Sequence, residues 1–163
     1  MSTTRDQLFN ILATIHDPEV PVLDIVEMGI VRDAEYDGES VRVDITPTYS
    51  GCPAMKAIQD DIVTTLGAHG YPDVLINTVY TPAWTTEWLS DASKQKLKEY
   101  GIAPPCRFPH YPISLVMALE QNIACPRCGS TDTEVTSEFG STPCKALYRC
   151  NECSEPFEYF KRI

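Results

Sequence analysis

The stretch CPRCGSTDTEVTSEFGSTPCKALYRCNEC, residues 125–153, opens and closes on a C-x-x-C pair, and the organisation of the C-terminal end follows from it. Cys125-Pro126-Arg127-Cys128 and Cys150-Asn151-Glu152-Cys153 are separated by 21 residues, close to the spacing of a four-cysteine zinc site. Each knuckle presents two thiolates about a tight turn, and a hairpin that brings two knuckles together completes a tetrahedral shell. The spacing predicts that hairpin over Thr133 to Phe139 and Lys145 to Arg149, with Pro156 to Phe160 as a third strand. A segment of roughly 40 residues buries too little apolar area to offset its ordering entropy, whereas structural zinc contributes about 10 kcal/mol or more to folding. The metal is therefore expected to be the core of a β ribbon spanning residues 121–163. Four thiolates leave no coordination position for water, which points to structural Zn²⁺; iron in a rubredoxin-like site takes the same ligands and stays open on sequence alone. Cys144 lies outside both knuckles. It reads as a small buried hydrophobe, the alternative being an accessory thiol beside the ribbon.

Working back from the ribbon, Gly101 to Pro112 holds four prolines and little periodicity, and a linker is expected over residues 101–120. Cys106 and His110 fall inside it at a spacing that permits a shared metal, although two ligands alone are a weak signal. Residues 1–100 carry the pattern of a small α/β (α+β) domain. Leu8, Ile11, Leu12 and Ile15 recur at helical spacing and end at Asp17-Pro18. Ile30 to Tyr36 and Val41 to Ile45 alternate across Asp37-Gly38, a dipeptide suited to a hairpin turn. A helix from Pro53 buries Met55, Ile58, Ile62, Val63 and Leu66 and ends at Gly67 and Gly70. Val74 to Tyr80 is a third strand, and a last helix capped by Thr85 or Thr86 carries Trp88, Leu89, Leu97 and Tyr100 to Gly101. The expected architecture is thus a three-stranded sheet with packed helices, followed by the ribbon.

The formal charge of −10 opposes non-specific binding to nucleic acid, which depends on Lys and Arg neutralising phosphates. From Gln121 onward five basic residues face six acidic ones, so the ribbon does not read as a DNA-binding module either. No run of residues approaches a membrane span, and the opening MSTTRDQLFN lacks the apolar core and cleavage site of a signal peptide. A cytoplasmic protein with reduced thiols and a protein partner is expected.

Two loops of the first domain look selected for chemistry: HDPEVPVLDIVEMG, residues 16–29, and TPTYSGCPAM, residues 46–55. Cys52 precedes the proline expected at the first helical position, so its sulfur should face unsatisfied amides whose dipoles favour thiolate. Thr46, Thr48 and Ser50 are near enough in sequence to donate to it. Glu19, between Pro18 and Pro21, brings a stiffened carboxylate that can serve as oxygen ligand or proton acceptor beside Cys52. The competing readings are an indifferent capping cysteine and a solvated acidic face formed by Asp17, Glu19, Asp24 and Glu27. No histidine lies close to Cys52 in sequence, so a nucleophile with a positioned base is not evident.

The DPE-x-P loop, the hairpin and the TPT-x-x-GCP turn resemble the MIP18 family, formerly a domain of unknown function, which includes iron-sulfur assembly factors. With CPRCGS, FGSTPCKALYRC and EPFEYFK appended, the chain is similar to the D-subunit family of phenylacetyl-CoA epoxidase systems. That resemblance implies an accessory role in phenylacetate degradation: maturation of the iron-sulfur cluster of the reductase subunit, which carries flavin and a [2Fe-2S] centre. It implies functional roles for Asp17 and Cys52, with iron or a cluster held in transit. The alternative is a structural scaffold of the multicomponent oxygenase. The Glu-x-x-His pairs of a carboxylate-bridged di-iron centre are missing, so catalysis of the oxygenation is not expected. Monomer and homodimer remain open.

Overall fold

The computed structural model describes residues 4–106 and 122–163. The elements run α1 (Thr4–Leu12), β1 (Val31–Tyr36), β2 (Val41–Ile45), α2 (Ala54–Ala68), β3 (Val74–Thr78), a 3-10 turn (Thr86–Trp88), α3 (Asp91–Tyr100), β4 (Ile102–Ala103), β5 (Thr133–Ser137), β6 (Lys145–Cys150) and β7 (Pro156–Phe160). They form two compact units, Met1–Leu89 and Ser90–Ile163. The class is the mixed α and β one expected, a three-stranded sheet with packed helices and then a second sheet.

In the first unit β1 and β2 pair antiparallel and β3 joins β2 in parallel, so α2 is the crossover of a βαβ unit. Val41, Val43 and Ile45 are wholly buried and alternate with outward Arg42 and Asp44, the period of two that one covered face requires. Beside them α1 packs against β1 and α2, and α2 against β3. Ile58, Ile62 and Leu66 form the buried seam of α2, four residues apart. Val63, expected in that stripe, is 44% exposed because a step of one residue turns it about 100° off the seam.

Two helix boundaries differ from expectation. α1 stops at Leu12 and not at Asp17: the amides of Thr14 and Ile15 reach back three residues to Ile11 and Leu12, and the Thr14 hydroxyl also donates to the Ile11 carbonyl. The last helix is split. The Thr85 side chain caps only the 3-10 turn, the backbone extends at Leu89, and Ser90 then accepts from the Ser93 amide to start α3. Leu97 is buried on α3, Tyr100 is exposed, and Gly101 closes the helix at φ +98°.

In the second unit the sheet order is β4-β7-β6-β5. The first residues of the expected linker are therefore sheet, with Ile102 opposite Glu158 and Ala103 opposite Tyr159. Because α3 packs on β4, the division by contacts falls between Leu89 and Ser90, and the sequence-based boundary at residue 100 differs from it. The rest of the linker from Arg107, with His110, and Gln121 at the ribbon's expected start lie outside the described residues. Ala103, Ile123, Ala146, Tyr148, Phe157 and Tyr159 pack around Cys125 and Cys150, with Tyr148 stacked on Phe157 and edge-on to Tyr159.

Lys145 is an exception in this core. Its side chain is 4% exposed and its Nζ donates to Glu158 Oε2 at 2.8 Å, while Glu158 Oε1 accepts from the Ser141 amide and hydroxyl. Burial alone would raise the Glu158 carboxyl, but the bonds from Lys145 and Ser141 outweigh it and hold it below the usual range. The stability it contributes is present above the unfolded carboxyl's value and is lost as pH falls through the lowered folded one. Glu158→Ala should cost roughly 3 kcal/mol by leaving a buried cation unpaired, whereas Lys145→Met with Glu158→Leu should recover most of it; denaturant unfolding of the metal-loaded protein reads both.

Candidate functional site

The Cys52 region is built by two loops that their own polar side chains hold in shape. In residues 16–29 the Asp17 carboxylate, only 4% exposed, accepts from the Glu19 amide at 2.7 Å and the Val20 amide at 2.8 Å. Asp24 Oδ1 does the same for Val26 and Glu27, and burial, the largest influence on it, raises the Asp24 carboxyl. The acidic run is therefore largely internal structure: Asp17 and Asp24 act as turn caps. The backbones of His16 and Asp24 pair in an isolated antiparallel β-bridge, and the His16 ring contacts the Pro21 carbonyl. Gly29, at φ +74°, ends the loop against Trp88, where a Cβ would meet the ring at 3.3 Å.

The second loop leaves β2 through Thr46, whose amide donates to Ile30. Thr46 and Thr48 are buried and Ser50 is exposed. The Tyr49 carbonyl then accepts from the Cys52 amide at 3.3 Å across a tight turn, with Gly51 at φ +78°. Cys52 is half-buried directly before Pro53, the cap of α2, and its sulfur receives a hydrogen bond from the Ala54 amide. The thiol lies at the helix start, one position further out than expected: Pro53, expected as the first helical residue, is the cap, and α2 begins at Ala54. Its electrostatic state is not the expected one. Burial pushes the Cys52 thiol up, and the charges of Glu19 and, less, Asp17 add to that; the Ala54 amide and the polar Tyr49 side chain pull the other way and lose. The structure thereby brings Cys52, Glu19 and Asp17 into one electrostatic neighbourhood, and it adds Tyr49, which sequence reasoning does not single out.

The second constellation is the ribbon's. The sulfurs of Cys125, Cys128, Cys150 and Cys153 all lie within 4.8 Å of one another, and they are the group of metal-ligating side chains that comes together among the described residues. Cys125 and Cys153 stand 3.8 Å apart, Cys128 and Cys150 3.5 Å. A tetrahedron with bonds of about 2.3 Å has edges of roughly 3.8 Å, so four soft donors are placed as a Zn²⁺-like ion requires. Knuckle geometry explains it: Gly129 at φ +78° and Ser154 at φ +61° turn the chain after each pair. The Cys125 and Cys150 amides close the loops onto the Ser130 and Glu155 carbonyls, and the Asn151 side chain ties one knuckle to Asp132. The Cys153 amide, with the Cys128 thiol, lowers Cys150 to about 7. The Ser130 amide pulls Cys128 down, but burial and the protons shared with its three neighbours outweigh it, and that thiol is pushed up to about 12. Binding of a cation and loss of the thiol protons are linked.

Cys144 is buried and apart from that group, its sulfur 3.0 Å from the Thr142 hydroxyl. Cys106 packs against the ribbon core. No helix among the described residues is long and apolar enough to cross a membrane.

A thiol-bearing α and β domain carrying a four-cysteine ribbon is the class that fold and sites define, and the comparisons specify it. The iron-sulfur cluster assembly protein family matches residues 5–74, and the PaaD zinc beta ribbon domain matches residues 112–161. An Escherichia coli (strain K12) protein, provisionally named as the D subunit of 1,2-phenylacetyl-CoA epoxidase, is 43% identical over 96% of this chain and 92% of its own length. The Fe-S protein maturation auxiliary factor SufT of Staphylococcus aureus (strain USA300) is 38% identical over 48% of this chain and 90% of its own. A domain of unknown function from Bacillus anthracis superposes with a TM-score of 0.53 at 29% identity, covering 57% of this chain and 90% of that one. The chain belongs to the phenylacetyl-CoA epoxidase D-subunit family, as its motifs lead one to expect.

Two outcomes follow from the geometry. Glu19→Gln should speed Cys52 alkylation by iodoacetamide several-fold at pH 7.5, and Asp17→Asn, which keeps the loop's acceptor, should do so less; peptide mass spectrometry reads both. Freshly purified protein should hold one metal per chain by elemental analysis, and Cys150→Ser should lose it.

Proposed function

We propose that this chain is an accessory factor of a phenylacetyl-CoA epoxidase system, maturing the iron-sulfur centre of its reductase subunit and leaving the oxygenation to other subunits. The observation that carries this reading is the Cys52 thiol at the start of α2, half-buried and flanked by the Glu19 and Asp17 charges, in a domain of the iron-sulfur assembly family. Two carboxylates next to a sulfur attract a cation and hold the thiol protonated until one arrives. The incoming cargo, iron or an iron-sulfur cluster, is the substrate. When the thiol gives up its proton, Glu19, whose charge acts on it more strongly than that of Asp17, is the acceptor, and the Ala54 amide and Tyr49 side chain favour the sulfur anion that remains. Asp17 acts mainly by holding the Glu19 amide, and hence the loop, in place.

The ribbon has the opposite character. Its four sulfurs converge on one point, and the metal we assign there is Zn²⁺, supplying folding free energy and no open coordination position. It is suited to docking the partner while the Cys52 face addresses the cysteines of the partner's cluster site. We place the protein in the cytoplasm, where those cysteines stay reduced.

Co-expression with the apo reductase separates the two roles. Cys52→Ala should leave the complex intact on gel filtration yet reduce [2Fe-2S] absorbance per reductase by at least half, whereas removing residues 122–163 should weaken the complex itself. A full cluster complement beside Cys52→Ala would replace the transfer role with that of a structural scaffold.

A further inference from the structure

Arg32 is set apart from the other cations of its unit. Arg5 pairs with Asp33, Arg42 with Glu35 and Asp44, and Lys56 with Asp60. The Arg32 guanidinium meets no carboxylate among the described residues, although the chain carries a formal charge of −10. Backbone and side-chain geometry both fix where it points. Val31 faces Ile45 and Asp33 faces Asp44, so Arg32 is the extra residue of a β-bulge, a device by which a strand re-aims one side chain. Its Cζ lies 4.2 Å from the centroid of the Trp88 ring, and its Nη1 donates to the Pro82 carbonyl at 3.4 Å. Trp88 is itself held, lying against Gly29 and edge-on to Trp84, whose Nε1 donates to the Met28 carbonyl at 2.7 Å. An aromatic face and one carbonyl thus orient the cation, and Nε and Nη2 stay without a partner among the described residues.

Arg32 also stands at the Cys52 end of the sheet. The Ile30 carbonyl accepts from Thr46 and the Ile45 carbonyl from Val79, both at 2.8 Å. The start of β1, the Cys52 turn after β2 and the Tyr80–Pro82 segment after β3 therefore emerge together. Tyr80 is 67% exposed there.

We propose that the Arg32–Trp88 pair is a docking point for a carboxylate side chain of the partner protein that approaches Cys52. The inference rests on the reading of this chain as a factor acting on the reductase subunit. A planar guanidinium with free N–H groups suits bidentate donation to a carboxylate, and stacking on an indole gives it a fixed direction. Arginine, tryptophan and tyrosine are also the residues that most often carry the binding energy of a protein interface. A polyphosphate fits less well, because one guanidinium in a carboxylate-rich unit cannot neutralise several charges. A partner's carboxylate is repelled over most of this acidic surface and attracted at Arg32, so the pair sets the register of docking.

Affinity for the apo reductase, measured by biolayer interferometry with the full chain and its ribbon metal retained, tests this. Arg32→Met keeps an apolar stem over Trp88 and should raise Kd about tenfold. Arg42→Met makes the same change in net charge at a cation that is already paired, and should leave Kd within about twofold. Arg32→Lys places an amine at the docking point, where a water-soluble carbodiimide should join position 32 to one Asp or Glu of the reductase, as read by peptide mass spectrometry. Should Arg32→Met fail to fold, that crosslink decides alone.

An Arg32→Met affinity equal to the wild type's, or the absence of any reductase peptide joined at position 32, overturns the inference. So does inorganic phosphate at millimolar concentration weakening the wild-type complex but not that of Arg32→Met, with no amide at position 32, which assigns the site to a phosphate. The functional reading fails differently. A wild-type chain that does not bind the reductase ends both, whereas full cluster occupancy beside Cys52→Ala ends the transfer role and leaves the docking point standing.

Discussion

Four cysteine sulfurs within 4.8 Å of one another are an arrangement that only a cation makes favourable. As thiolates they repel, and as thiols they compete for the same protons, which is why Cys150 and Cys128 are driven in opposite directions. The second unit depends on resolving this conflict. Its apolar core is a handful of side chains, with Tyr148, Phe157 and Tyr159 the largest, and Cys125 and Cys150 are themselves members of it. The metal site is thus the centre of the core and not an attachment to it. The neighbouring Lys145–Glu158 pair repeats the principle with ordinary side chains, since a buried charge is tolerated where an opposite charge and two Ser141 donors meet it.

The first unit solves a different problem, again with buried polar groups. A loop rich in carboxylates borders an apolar sheet, and two of them are withdrawn from solvent by giving them backbone amides to accept from. Asp17 holds Glu19 and Val20; Asp24 holds Val26 and Glu27. The folded loop then delivers the Glu19 carboxylate to the neighbourhood of a thiol that lies 33 residues further along the chain. Electrostatics at Cys52 are consequently a product of tertiary structure, whereas the amide and tyrosine side chain that oppose those charges come from its own turn.

That division explains what can be read from the sequence. The ribbon is legible because a C-x-x-C pair is local and two such pairs at hairpin spacing leave few alternatives. The β1–β2 hairpin and the seam of α2 are legible from their periods of two and about 3.6 residues. The split of the last helix is not, because Thr85 and Ser90 are both good caps, and only packing decides that the chain must extend between them. A strand of two residues such as β4 carries no pattern of its own and exists because β7 offers it an edge. The sign of the Cys52 shift escapes sequence reasoning for a related reason: the helix-start contribution is local, while burial and the approach of Glu19 and Asp17 are not local and outweigh it.

The balance at Cys52 also suits a thiol that must act only on demand. At rest its environment favours the protonated form, which neither attacks disulfides nor oxidises readily, so an unloaded protein is protected by the same carboxylates that define the site. Under the transfer role proposed above, a cation entering beside Glu19 reverses the local field: the negative charges that raised the thiol are compensated, and the Ala54 amide is left to act unopposed. In that role deprotonation would be coupled to arrival of the cargo and would need no separate base such as a histidine. Removing the carboxylates would make the thiol more reactive towards small electrophiles while weakening its attraction for a cation. A site optimised for nucleophilic attack would have dispensed with Glu19, so its presence beside the sulfur is more consistent with exchange of a positively charged cargo than with covalent catalysis.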